Sequence, residues 1–521
     1  MTRQRAKTKV TRPKPAGAKQ SGLACVILAA GQGTRMRSSR AKVLHEVLGR
    51  PLVAYPVELA QSLGASPVVM VLGHQKDMVE AALARRFGDG VLSTVEQKER
   101  RGTGHAVQTA LPALRGARGI MLVLSGDVPL VQRKSLSALV GAARRYSCLA
   151  MLTTVPPDPT GYGRVVRDER GHVLRIVEHK DATAEERALT EINAGVYAAP
   201  IEFFREAVKG LGARNAQNEY YLTDVVEHAA RTVGVSTIEA DFRDVSGVND
   251  RAQLAEAEAM LRARINAGWL AHATLHDPRS ITIEPDVVVG VDAEIGRGVV
   301  LRGRTRIGHG AKIAEGCILV DTEVGAGAEV RPYTVATEAA IGVHTKVGPF
   351  AHLRPGAVLA EEAHVGNFVE LKKTRLGRGS KANHLTYLGD AIIGDGVNIG
   401  AGTITCNYNG YEKSQTVIED GAFIGSDSQL VAPVTVGAKS VVAAGTTVTR
   451  NVPAGALAIA RAAQTAVAGY AEHVARRYGK GSTTRGATGG PTGAPATSSG
   501  SVDGEPARRA RTPRRRPSVS G

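Results

Sequence analysis

The sequence predicts two unlike domains joined by a helix: an α/β domain with a parallel sheet, and a solenoid of short stacked strands. Apolar runs of strand length alternate with Ala/Leu-rich segments over residues 22–249, a pattern typical of a parallel α/β sheet. Residues 250–272 have one apolar face at helical spacing. Within residues 273–470, aliphatic residues return every six positions. A chain of 521 residues is also too long for one hydrophobic core.

The α/β domain opens with a buried-strand run at 23–30. Two further runs, 67–72 and 120–124, have the length and composition of strands. The segments between these runs are rich in Ala and Leu and favour helices. These elements continue to the end of the predicted domain at residue 249.

The connecting segment 250–272 reads as a single helix. Asp250 stands where an N-cap residue is preferred, because its side chain can accept a hydrogen bond from the first helical turn. The apolar residues on one face are Leu254, Leu261, Ile265 and Trp269.

A six-residue repeat defines the second domain. The helical period is 3.6 residues and the strand period is 2. A strict six-residue period therefore indicates stacked rungs, each made of one strand and one corner. The aliphatic residue points to the axis, and the small residue after it lets the backbone turn. The repeat alone predicts only a scaffold, and the polar, aromatic segment 404–416 interrupts it. It is clearest at Val289, Ile295, Leu301, Ile307 and Ile313.

The net charge of +17 lies mostly at the two ends of the chain. Residues 1–21 carry +7 and residues 471–521 carry +7, which leaves +3 for the middle. Both ends lack periodicity and are predicted to be disordered basic tails. The nearly neutral middle argues against binding of nucleic acid by the body of the protein, and no specific nucleic-acid partner is expected.

Cysteine usage and hydropathy predict a cytoplasmic protein without a membrane partner. The four cysteines are far apart and have neither metal-binding nor redox spacing, so reduced thiols are expected. No apolar run reaches membrane-spanning length, and the first twenty residues lack the apolar core of a signal peptide.

A first group of chemically active residues follows the strands of the α/β domain. The small residues of the loop 28–36 would let the backbone approach a phosphate, and the next helix N-terminus favours anions. Arg35 in this loop and Lys42 after it supply two cations, which suit a triphosphate. Asp127 follows a predicted strand, where a carboxylate can hold Mg²⁺. These residues indicate phosphoryl transfer, which depends on positioning and charge neutralisation.

Taken in this order, these segments resemble the sugar-phosphate nucleotidyltransferases, a family with a Rossmann-like α/β fold. The family usually has proline before the lysine, where this chain has Ala41. The resemblance implies that Arg35 and Lys42 are catalytic and that Asp127 and Asn249 bind Mg²⁺. It further implies binding of UTP and the sugar nucleotide by Leu28, Ala29, Ala30, Gly31, Lys42, Gln97, Gly102, Thr103, Ser125, Gly126, Asp127, Gly163, Glu178, Asn193 and Asn249.

A second group of polar residues interrupts the solenoid repeat. A scaffold does not need Arg, Lys, His, Tyr and Asn side chains along one stretch of its wall. Acyl transfer to an amine needs a base for the ammonium proton, cations for a phosphate and donors for the thioester oxygen. We interpret His352 and His364 as structural histidines and His384 as the candidate base. The sequence neighbours that distinguish His384 are Lys372, Tyr387 and Asn398.

This segment resembles the acetyltransferase half of the bifunctional bacterial enzymes that make UDP-N-acetylglucosamine, and the likeness covers residues 22–470. Their hexapeptide-repeat domain is a left-handed parallel β-helix that forms homotrimers, with the acetyl site between neighbouring solenoids. The resemblance implies that His384 is the catalytic base. It implies binding of the sugar phosphate or acetyl-CoA by Arg354, Lys372, Tyr387, Asn398, Ala401, Asn407, Tyr408, Ser426, Ala444 and Arg461.

The predicted function is therefore bifunctional. The solenoid would acetylate glucosamine 1-phosphate from acetyl-CoA, and the α/β domain would join the product to UTP. One alternative is a nucleotidyltransferase whose solenoid only regulates or oligomerises, but such a solenoid would not need the polar cluster around His384. The other is a non-enzymatic protein that binds nucleic acid or the cell envelope through its tails.

Overall fold

A computed structural model of the chain describes residues 9–10 and 22–478. The first domain contains a ten-stranded sheet with helices on both faces, which confirms the predicted α/β class. The three predicted strands lie at its centre and are parallel. The order across the sheet is Lys9–Val10, Val235–Glu239, Leu149–Thr154, Ile192–Pro200, Ile120–Ser125, Leu23–Ala29, Val68–Leu72 and Ser93–Glu96, with the hairpin Arg164–Arg167 and Val173–Val177 beside Ile192–Pro200.

The sheet is mixed, whereas the sequence predicted a parallel one. Ile192–Pro200 runs antiparallel to both of its long neighbours, Ile120–Ser125 and Leu149–Thr154. The chain reaches this strand after an antiparallel hairpin, whereas a parallel neighbour would need a long crossover connection. The apolar composition of the strand carries no information about its direction.

Helices pack on the two faces through separate clusters of buried residues. Cys25 and Ile27 belong to one cluster, and their neighbours Ala24 and Val26 belong to the other, as alternation along a strand requires. A small separate hairpin pairs Glu46–Val47 with Arg50–Pro51. The α-helices are Ala54–Ser62, Lys76–Phe87, Thr103–Ala110, Arg133–Tyr146, Ala184–Arg187, Ile201–Ala207, Asp224–Arg231 and Phe242–Val245, and the 3-10 helices are Thr34–Met36, Lys42–Leu44, Leu111–Leu114 and Val208–Gly210.

The connecting helix spans Arg251–Trp269 and ends slightly before the predicted boundary. Asp250 is its N-cap, and the carboxylate accepts a hydrogen bond from the backbone N–H of Gln253 at 2.9 Å. Leu261 is buried in a small core that the helix shares with the first domain. Trp269 packs against the core of the solenoid. The helix therefore contacts both domains.

The solenoid is a parallel β-helix of six-residue rungs, as predicted. Pairing joins residues three rungs apart, such as Val289 with Ile307 and Ile295 with Ile313, and the aliphatic residues form one continuous buried column. The larger sheet contains Thr274–Leu275, Thr282–Ile283, Glu294–Ile295, Val300–Arg302, Lys312–Ile313, Ile318–Val320, Glu329–Val330, Val335–Thr337, Lys346–Val347, His352–Leu353, His364–Lys372, Lys381–Gly389, Asn398–Ile399, Ile404–Cys406, Phe423–Ile424, Gln429–Val431, Val441–Val442, Thr447–Val448 and Leu457–Ala458. The smaller contains Val288–Val289, Arg306–Ile307, Glu323–Val324, Ala340–Ile341, Val358–Leu359, Arg375–Leu376, Ala391–Ile393, Thr416–Ile418 and Val434–Val436.

The glycine that follows a buried aliphatic residue permits close stacking of successive turns. A Cβ on Gly290 would lie 2.8 Å from the backbone of Gly308 in the next turn. Left-handed backbone occurs at other positions of the rung, for example at Asp292 with φ 58°. This glycine therefore does not turn the chain, contrary to the prediction from the sequence. It is needed because neighbouring strands are only about 4.8 Å apart, which leaves no room for a side chain at Gly290.

The interruption near residue 404 is shorter than predicted. Ile404–Cys406 still forms a strand, and the next strand is Thr416–Ile418. Ile393 pairs with Ile418 across this turn, so the extra residues form a loop on the wall without breaking the column.

The C-terminal end of the described chain is a short exposed helix, Tyr470–Tyr478. This helix includes residues 471–478, which are the first residues of the segment that was predicted to be disordered. Apart from this helix and Lys9–Val10, both predicted tails lie outside the described residues. Within the described ranges, no helix has the length and apolarity needed to cross a membrane.

Candidate active sites

The loop after the first strand lines a cavity of about 320 Å³ at the carboxyl ends of two parallel strands. Leu23–Ala29 and Ile120–Ser125 end there side by side. Gly126 does not line this cavity; its N–H donates to the carbonyl of Leu28 at 2.9 Å and ties the two strand ends together. The predicted residues in the wall are Leu28, Ala29, Ala30, Gly31, Lys42, Gln97, Gly102, Thr103, Ser125 and Asp127.

Lys42 bridges the two predicted metal ligands. Its Nζ donates to the carboxylate of Asp127 and, at 3.1 Å, to the side-chain oxygen of Asn249. The side chains of Lys42 and Asp127 are only 12% and 23% exposed, so water screens their interaction weakly. The N–H of Val248 donates to the carbonyl of Asp127 at 2.9 Å. This bond holds the loop that carries Asn249 beside the strand end.

The oxygen atoms at this point fit a hard cation. A carboxylate and an amide oxygen converge on one ammonium group, and Mg²⁺ prefers such oxygen ligands. Among the described residues, no group of three or more His, Cys, Asp or Glu side chains could hold a metal. Asp127 and Asn249 are the two residues that could hold such a cation at this point.

Gln97 is nearly buried, and its amide is held in one orientation. Its Nε2 donates to the carbonyl of Gly102 at 3.0 Å and lies 3.0 Å from Nδ1 of His105. Gly102 has φ 99°, and a Cβ there would lie 2.6 Å from the carbonyl oxygen of Tyr220. The hydroxyl of Thr103 accepts a hydrogen bond from the N–H of Leu222 at 3.0 Å. These contacts fix this side of the cavity.

An adjoining cavity of about 230 Å³ contains Gly163, Glu178, Asn193 and Asn249, as predicted for the sugar-binding residues. Glu178 accepts a hydrogen bond from the hydroxyl of Thr223 at 3.1 Å. Asn193 donates to the phenol oxygen of Tyr197 at 2.6 Å. Both polar side chains are thus oriented by a second residue of the protein.

Burial and nearby charges shift the pKa values of two ionisable groups around the sugar cavity. Burial raises the pKa of Glu178, and the nearby carboxylates of Asp224 and Asp181 raise it further. Burial also raises the pKa of Tyr162, while the positive charge of Arg35 acts against that shift. Arg35 is exposed on the 3-10 helix Thr34–Met36 and does not line either cavity.

Two nine-residue strands carry the centre of the second group. His364–Lys372 and Lys381–Gly389 are parallel, and their register places Asn367 beside His384. Nδ1 of His384 lies 3.0 Å from Oδ1 of Asn367. Because an amide oxygen only accepts hydrogen bonds, this contact favours the tautomer of the neutral imidazole in which Nδ1 donates and Nε2 is the acceptor. His384 is exposed, so Nε2 can meet a substrate.

Acidic partners hold the predicted phosphate-binding cations. Arg354 donates to the carboxylate of Glu370 at 2.7 Å. Lys372 lies 3.9 Å from the carboxylate of Asp390, which also accepts a hydrogen bond from the amide of Asn407. The cations and Asn407 are therefore fixed on the same wall as His384.

Tyr387 and one further lysine complete this part of the wall. The strand register places Tyr387 beside Glu370. Lys413, on the loop after Ile404–Cys406, approaches Lys372, and the close approach of the Lys372 side chain together with its positive charge lowers the pKa of Lys413. Two ammonium groups that repel each other at one point favour a bound anion there.

The remaining predicted residues lie on successive turns of the solenoid. Asn398 opens the strand Asn398–Ile399. The carbonyl of Ala401 accepts from the N–H of Asp427 at 2.7 Å, and the carbonyl of Ser426 accepts from the N–H of Gly445 at 2.8 Å. One turn further on, the guanidinium of Arg461 donates to the carbonyl of Ala444 at 2.7 Å. Tyr408, 59% exposed, donates to the carbonyl of Gly410 at 2.6 Å.

Models of known families match three stretches of the chain. Residues 25–195 match the MobA-like NTP transferase domain. Residues 278–376 match the GMPPB C-terminal domain, and residues 415–450 match the hexapeptide repeat of succinyl-transferase. These matches agree with an NTP-dependent transferase domain followed by a hexapeptide solenoid.

Similar proteins match nearly their whole length. Bifunctional protein GlmU of Sorangium cellulosum (strain So ce56) is 51% identical over 460 residues, which cover 87% of this chain and 97% of that protein. Bifunctional protein GlmU of Anaeromyxobacter sp. (strain Fw109-5) is 51% identical over 477 residues, which cover 91% of this chain and 97% of that protein. Bifunctional protein GlmU of Trichlorobacter lovleyi (strain ATCC BAA-1151 / DSM 17278 / SZ) is 50% identical over 452 residues, which cover 86% of this chain and 97% of that protein.

The chain belongs to the GlmU family. Membership of the GlmU family confirms the predicted pair of activities, a uridylyltransferase and an N-acetyltransferase. A nucleotidyltransferase with a purely regulatory solenoid does not agree with bifunctional GlmU relatives that match along both domains. The same match argues against a non-enzymatic binding protein.

Several residues that sequence reasoning missed contact the predicted GlmU site residues. Each lies on a different strand or loop from its partner, so no single segment of the sequence shows the contact. The register of successive solenoid turns could have indicated the pairs of Asn367, Glu370 and Asp390. They are Asn367 beside His384, Glu370 beside Arg354, Asp390 and Lys413 beside Lys372, and Thr223 beside Glu178.

Proposed function

We propose that this chain makes UDP-N-acetylglucosamine in two steps. In the solenoid site, the amine of glucosamine 1-phosphate attacks the thioester of acetyl-CoA and releases CoA. In the α/β site, the phosphate of the N-acetylated product attacks the α-phosphorus of UTP and releases pyrophosphate. The observation that carries the proposal is the convergence of Lys42, Asp127 and Asn249 beside the cavity at the strand ends.

In the uridylyl step, the chain supplies positioning and positive charge. The loop 28–31 holds the nucleotide close to the backbone, and the fixed amide of Gln97 faces the base. Mg²⁺, held by Asp127 and Asn249, would neutralise phosphate charge when bound. Lys42 would move its ammonium from Asp127 to the phosphates, where it stabilises the charge that develops as pyrophosphate leaves. Arg35, exposed near Tyr162, adds a second cation at the mouth of the site.

In the sugar cavity, the oriented Glu178 and Asn193 would bind the hydroxyl and acetamido groups of N-acetylglucosamine 1-phosphate. A side chain that is already oriented loses less entropy on binding. An ionised Glu178 accepts hydrogen bonds from a sugar through both oxygens, whereas protonation turns one oxygen into a donor, so the raised pKa of Glu178 makes this contact sensitive to acid.

In the acetyl step, Nε2 of His384 would take a proton from the ammonium of glucosamine 1-phosphate, because only the free amine can attack a thioester. Arg354, Lys372 and Lys413 would bind the sugar phosphate. The aligned positions 401, 426, 444 and 461 form a track along successive turns that suits the extended arm of acetyl-CoA. Asn367 fixes the tautomer of His384 that this step requires.

The direct test is to mix the purified protein with glucosamine 1-phosphate, acetyl-CoA, UTP and Mg²⁺ and to identify the products. Asp127→Ala should abolish formation of UDP-N-acetylglucosamine and leave CoA release unchanged. Omitting Mg²⁺ should have the same effect. Asp89→Ala, which changes an exposed aspartate away from both cavities, is the matched control and should retain both reactions. Equal loss of both reactions in folded Asp127→Ala would contradict the proposal.

We also propose that the protein is a homotrimer, and an exposed aromatic ridge supports this. The ridge consists of Tyr333, Phe350, Phe368 and Leu385, which are 56%, 49%, 58% and 67% exposed. The rings of Tyr333, Phe350 and Phe368 are stacked, with centroids 5.3 and 5.6 Å apart. A continuous exposed apolar surface of this kind is typical of an interface. Leu385 adjoins His384, so a second copy on the ridge would close over the base.

Light scattering with activity measurements tests the trimer. Phe350→Glu and Phe368→Glu should give smaller particles and an acetyl-transfer rate at least tenfold lower, with uridylyl transfer retained. Val291→Glu, at a position that is 53% exposed on the same solenoid, is the control. A monomeric variant with full acetyl transfer would show that the ridge does not complete the site.

A cytoplasmic location is also proposed. It is supported by the four cysteines of the described chain, all of which are free thiols, three of them buried. Cell fractionation with an antibody to the protein tests this.

A further inference from the structure

The segment that carries the catalytic Lys42 leads directly into a hairpin. Lys42 opens the 3-10 helix Lys42–Leu44, and the strands Glu46–Val47 and Arg50–Pro51 follow. The N–H of Val53, just after the hairpin, donates to the carbonyl of Val43 at 3.1 Å. The hairpin and the turn of Lys42 are therefore one hydrogen-bonded unit, so we expect a shift of the hairpin to displace the lysine.

The tip of the hairpin rests on the first turn of the solenoid. Leu48 and Gly49 have φ 45° and 72°, as a two-residue hairpin turn requires. A Cβ on Gly49 would lie 2.5 Å from Oε1 of Glu284. Oε2 of Glu284 accepts a hydrogen bond from the N–H of Gly303 at 2.8 Å. The carboxylate under the tip is thus held by the backbone of the solenoid.

Arg50 joins the hairpin to both domains. Its guanidinium donates to Glu58 of the α/β domain at 2.5 Å and to Asp286 of the solenoid. Arg86 makes the second half of the same network, with Nε 2.8 Å from Glu58 and Nη2 3.6 Å from Asp286. The side chain of Arg50 is only 12% exposed. A planar guanidinium between two carboxylates fixes both distance and orientation.

The other side of the hairpin packs against the loop that carries Asn249. Val47, Leu48 and Leu52 are buried in one cluster with Val248, next to Asn249. The hairpin therefore lies between the solenoid and two of the groups that converge at the uridylyl site. Phosphoryl transfer depends on placing such groups to within a fraction of an ångström.

We propose that the first solenoid turn, through Glu284 and Asp286, holds the hairpin and thereby positions Lys42 for uridylyl transfer. The solenoid then serves both reactions: its polar wall carries acetyl transfer, and its first turn supports the other active site. Arg50, Glu284 and Asp286 are positioning residues, since none of them lines the nucleotide or the sugar cavity.

The test compares Arg50→Gln and Asp286→Asn in the full-length protein. Arg50→Gln should lower the kcat of uridylyl transfer on the order of tenfold, as misplacement of a catalytic group does, and keep acetyl transfer within about twofold, as expected for a distant site. Asp286→Asn should have a smaller effect in the same direction. The double variant should have the same kcat as Arg50→Gln, because both substitutions remove the same contact between Arg50 and Asp286. Hydrogen exchange should become faster at the backbone amides of residues 43–53.

Glu294→Gln is the matched control, because it removes a solenoid ion pair with Lys312 at 2.9 Å that does not touch the hairpin. It should change neither activity. Wild-type kcat and KM for uridylyl transfer in both test variants would overturn the proposal, whether or not the exchange rates change. A parallel fall of acetyl transfer would also overturn it, since that result indicates general destabilisation.

Discussion

At the scale of single residues, one hydrogen bond orients His384, the base that we propose for acetyl transfer. Oδ1 of Asn367 accepts from Nδ1, so Nε2 is the nitrogen available to act as that base. In the other domain, Thr223 and Tyr197 orient Glu178 and Asn193 in the same manner. In each site, therefore, a reactive or binding side chain depends on a neighbour that takes no part in the reaction.

His384→Ala should reduce acetyl transfer by about 10²–10⁴-fold, the usual contribution of a general base, and leave uridylyl transfer intact. Thiol release from acetyl-CoA, measured in both proteins, tests this. If the variant retains the wild-type rate, the base lies elsewhere.

The raised pKa of Glu178 predicts how uridylyl transfer responds to acid. Its ordinary value is 4.5, and burial moves the pKa upward. As pH falls from neutrality, this carboxylate is therefore protonated earlier than an exposed glutamate. The kcat/KM for N-acetylglucosamine 1-phosphate should decline correspondingly early, with a loss of sugar binding as the cause.

Steady-state kinetics between pH 5 and 8 would measure this decline, and Glu178→Gln would identify the group. The variant should start from a lower kcat/KM and show a flatter profile. A decline of the same size and midpoint in Glu178→Gln would assign the ionisation to another group.

The sequence predicted site residues well where they belong to one local segment. It predicted less well which residues from different segments contact each other. The loop 28–31, Gln97, Ser125 and Asp127 were predicted to share a site, and they line one cavity. Lys413 was missed because it approaches Lys372 only after the chain has completed further turns. The role of Arg35 stays a prediction, because this exposed side chain does not line the cavity.

At the scale of elements, the proposed acetyl site depends on the pairing of two unusually long strands. His364–Lys372 and Lys381–Gly389 keep seven register pairs, whereas most rungs have strands of two or three residues. The six-residue repeat predicted the stacking, since each rung buries one aliphatic residue. It could not predict the added length of these strands, just as the composition of Ile192–Pro200 could not give its antiparallel direction.

Gly366 is the point at which this pairing is most sensitive to substitution. A Cβ there would lie 1.8 Å from the backbone carbonyl oxygen of Asn383, which directly precedes His384. Gly366→Ala must therefore displace one strand and separate Asn367 from His384. Acetyl transfer should fall at least as far as in an Asn367→Ala variant, and uridylyl transfer should be retained.

Gly268→Ala is the control for this substitution, because no atom lies within 4 Å of a Cβ at that position in the connecting helix. It should retain both activities and be slightly more stable, as alanine favours helix. Normal acetylation by folded Gly366→Ala would mean that the strands can separate without disturbing the base.

At the scale of the whole molecule, the charge distribution separates the catalytic body from the two ends. The walls of both cavities and the acetyl-site residues all lie between residues 28 and 461. The ends carry +7 each and the middle +3. From this distribution we expect the two ends to attract anionic surfaces and to contribute to neither reaction.

Deleting residues 1–21 and 479–521 should consequently leave both turnover rates within about twofold of the full-length values, since none of the deleted residues is a predicted site residue. Binding to an anionic matrix such as phosphocellulose should weaken strongly, because attraction between basic tails and a polyanion increases with the number of charges and falls with salt. The measurements are initial rates for both reactions and the salt concentration at which each protein elutes. Deleting residues 479–521 alone, which preserves the pairing of Lys9–Val10 with Val235–Glu239, separates the two contributions. Unchanged elution after both deletions would place the anion-binding surface on the body, and a large fall in either rate would show that a tail completes a site.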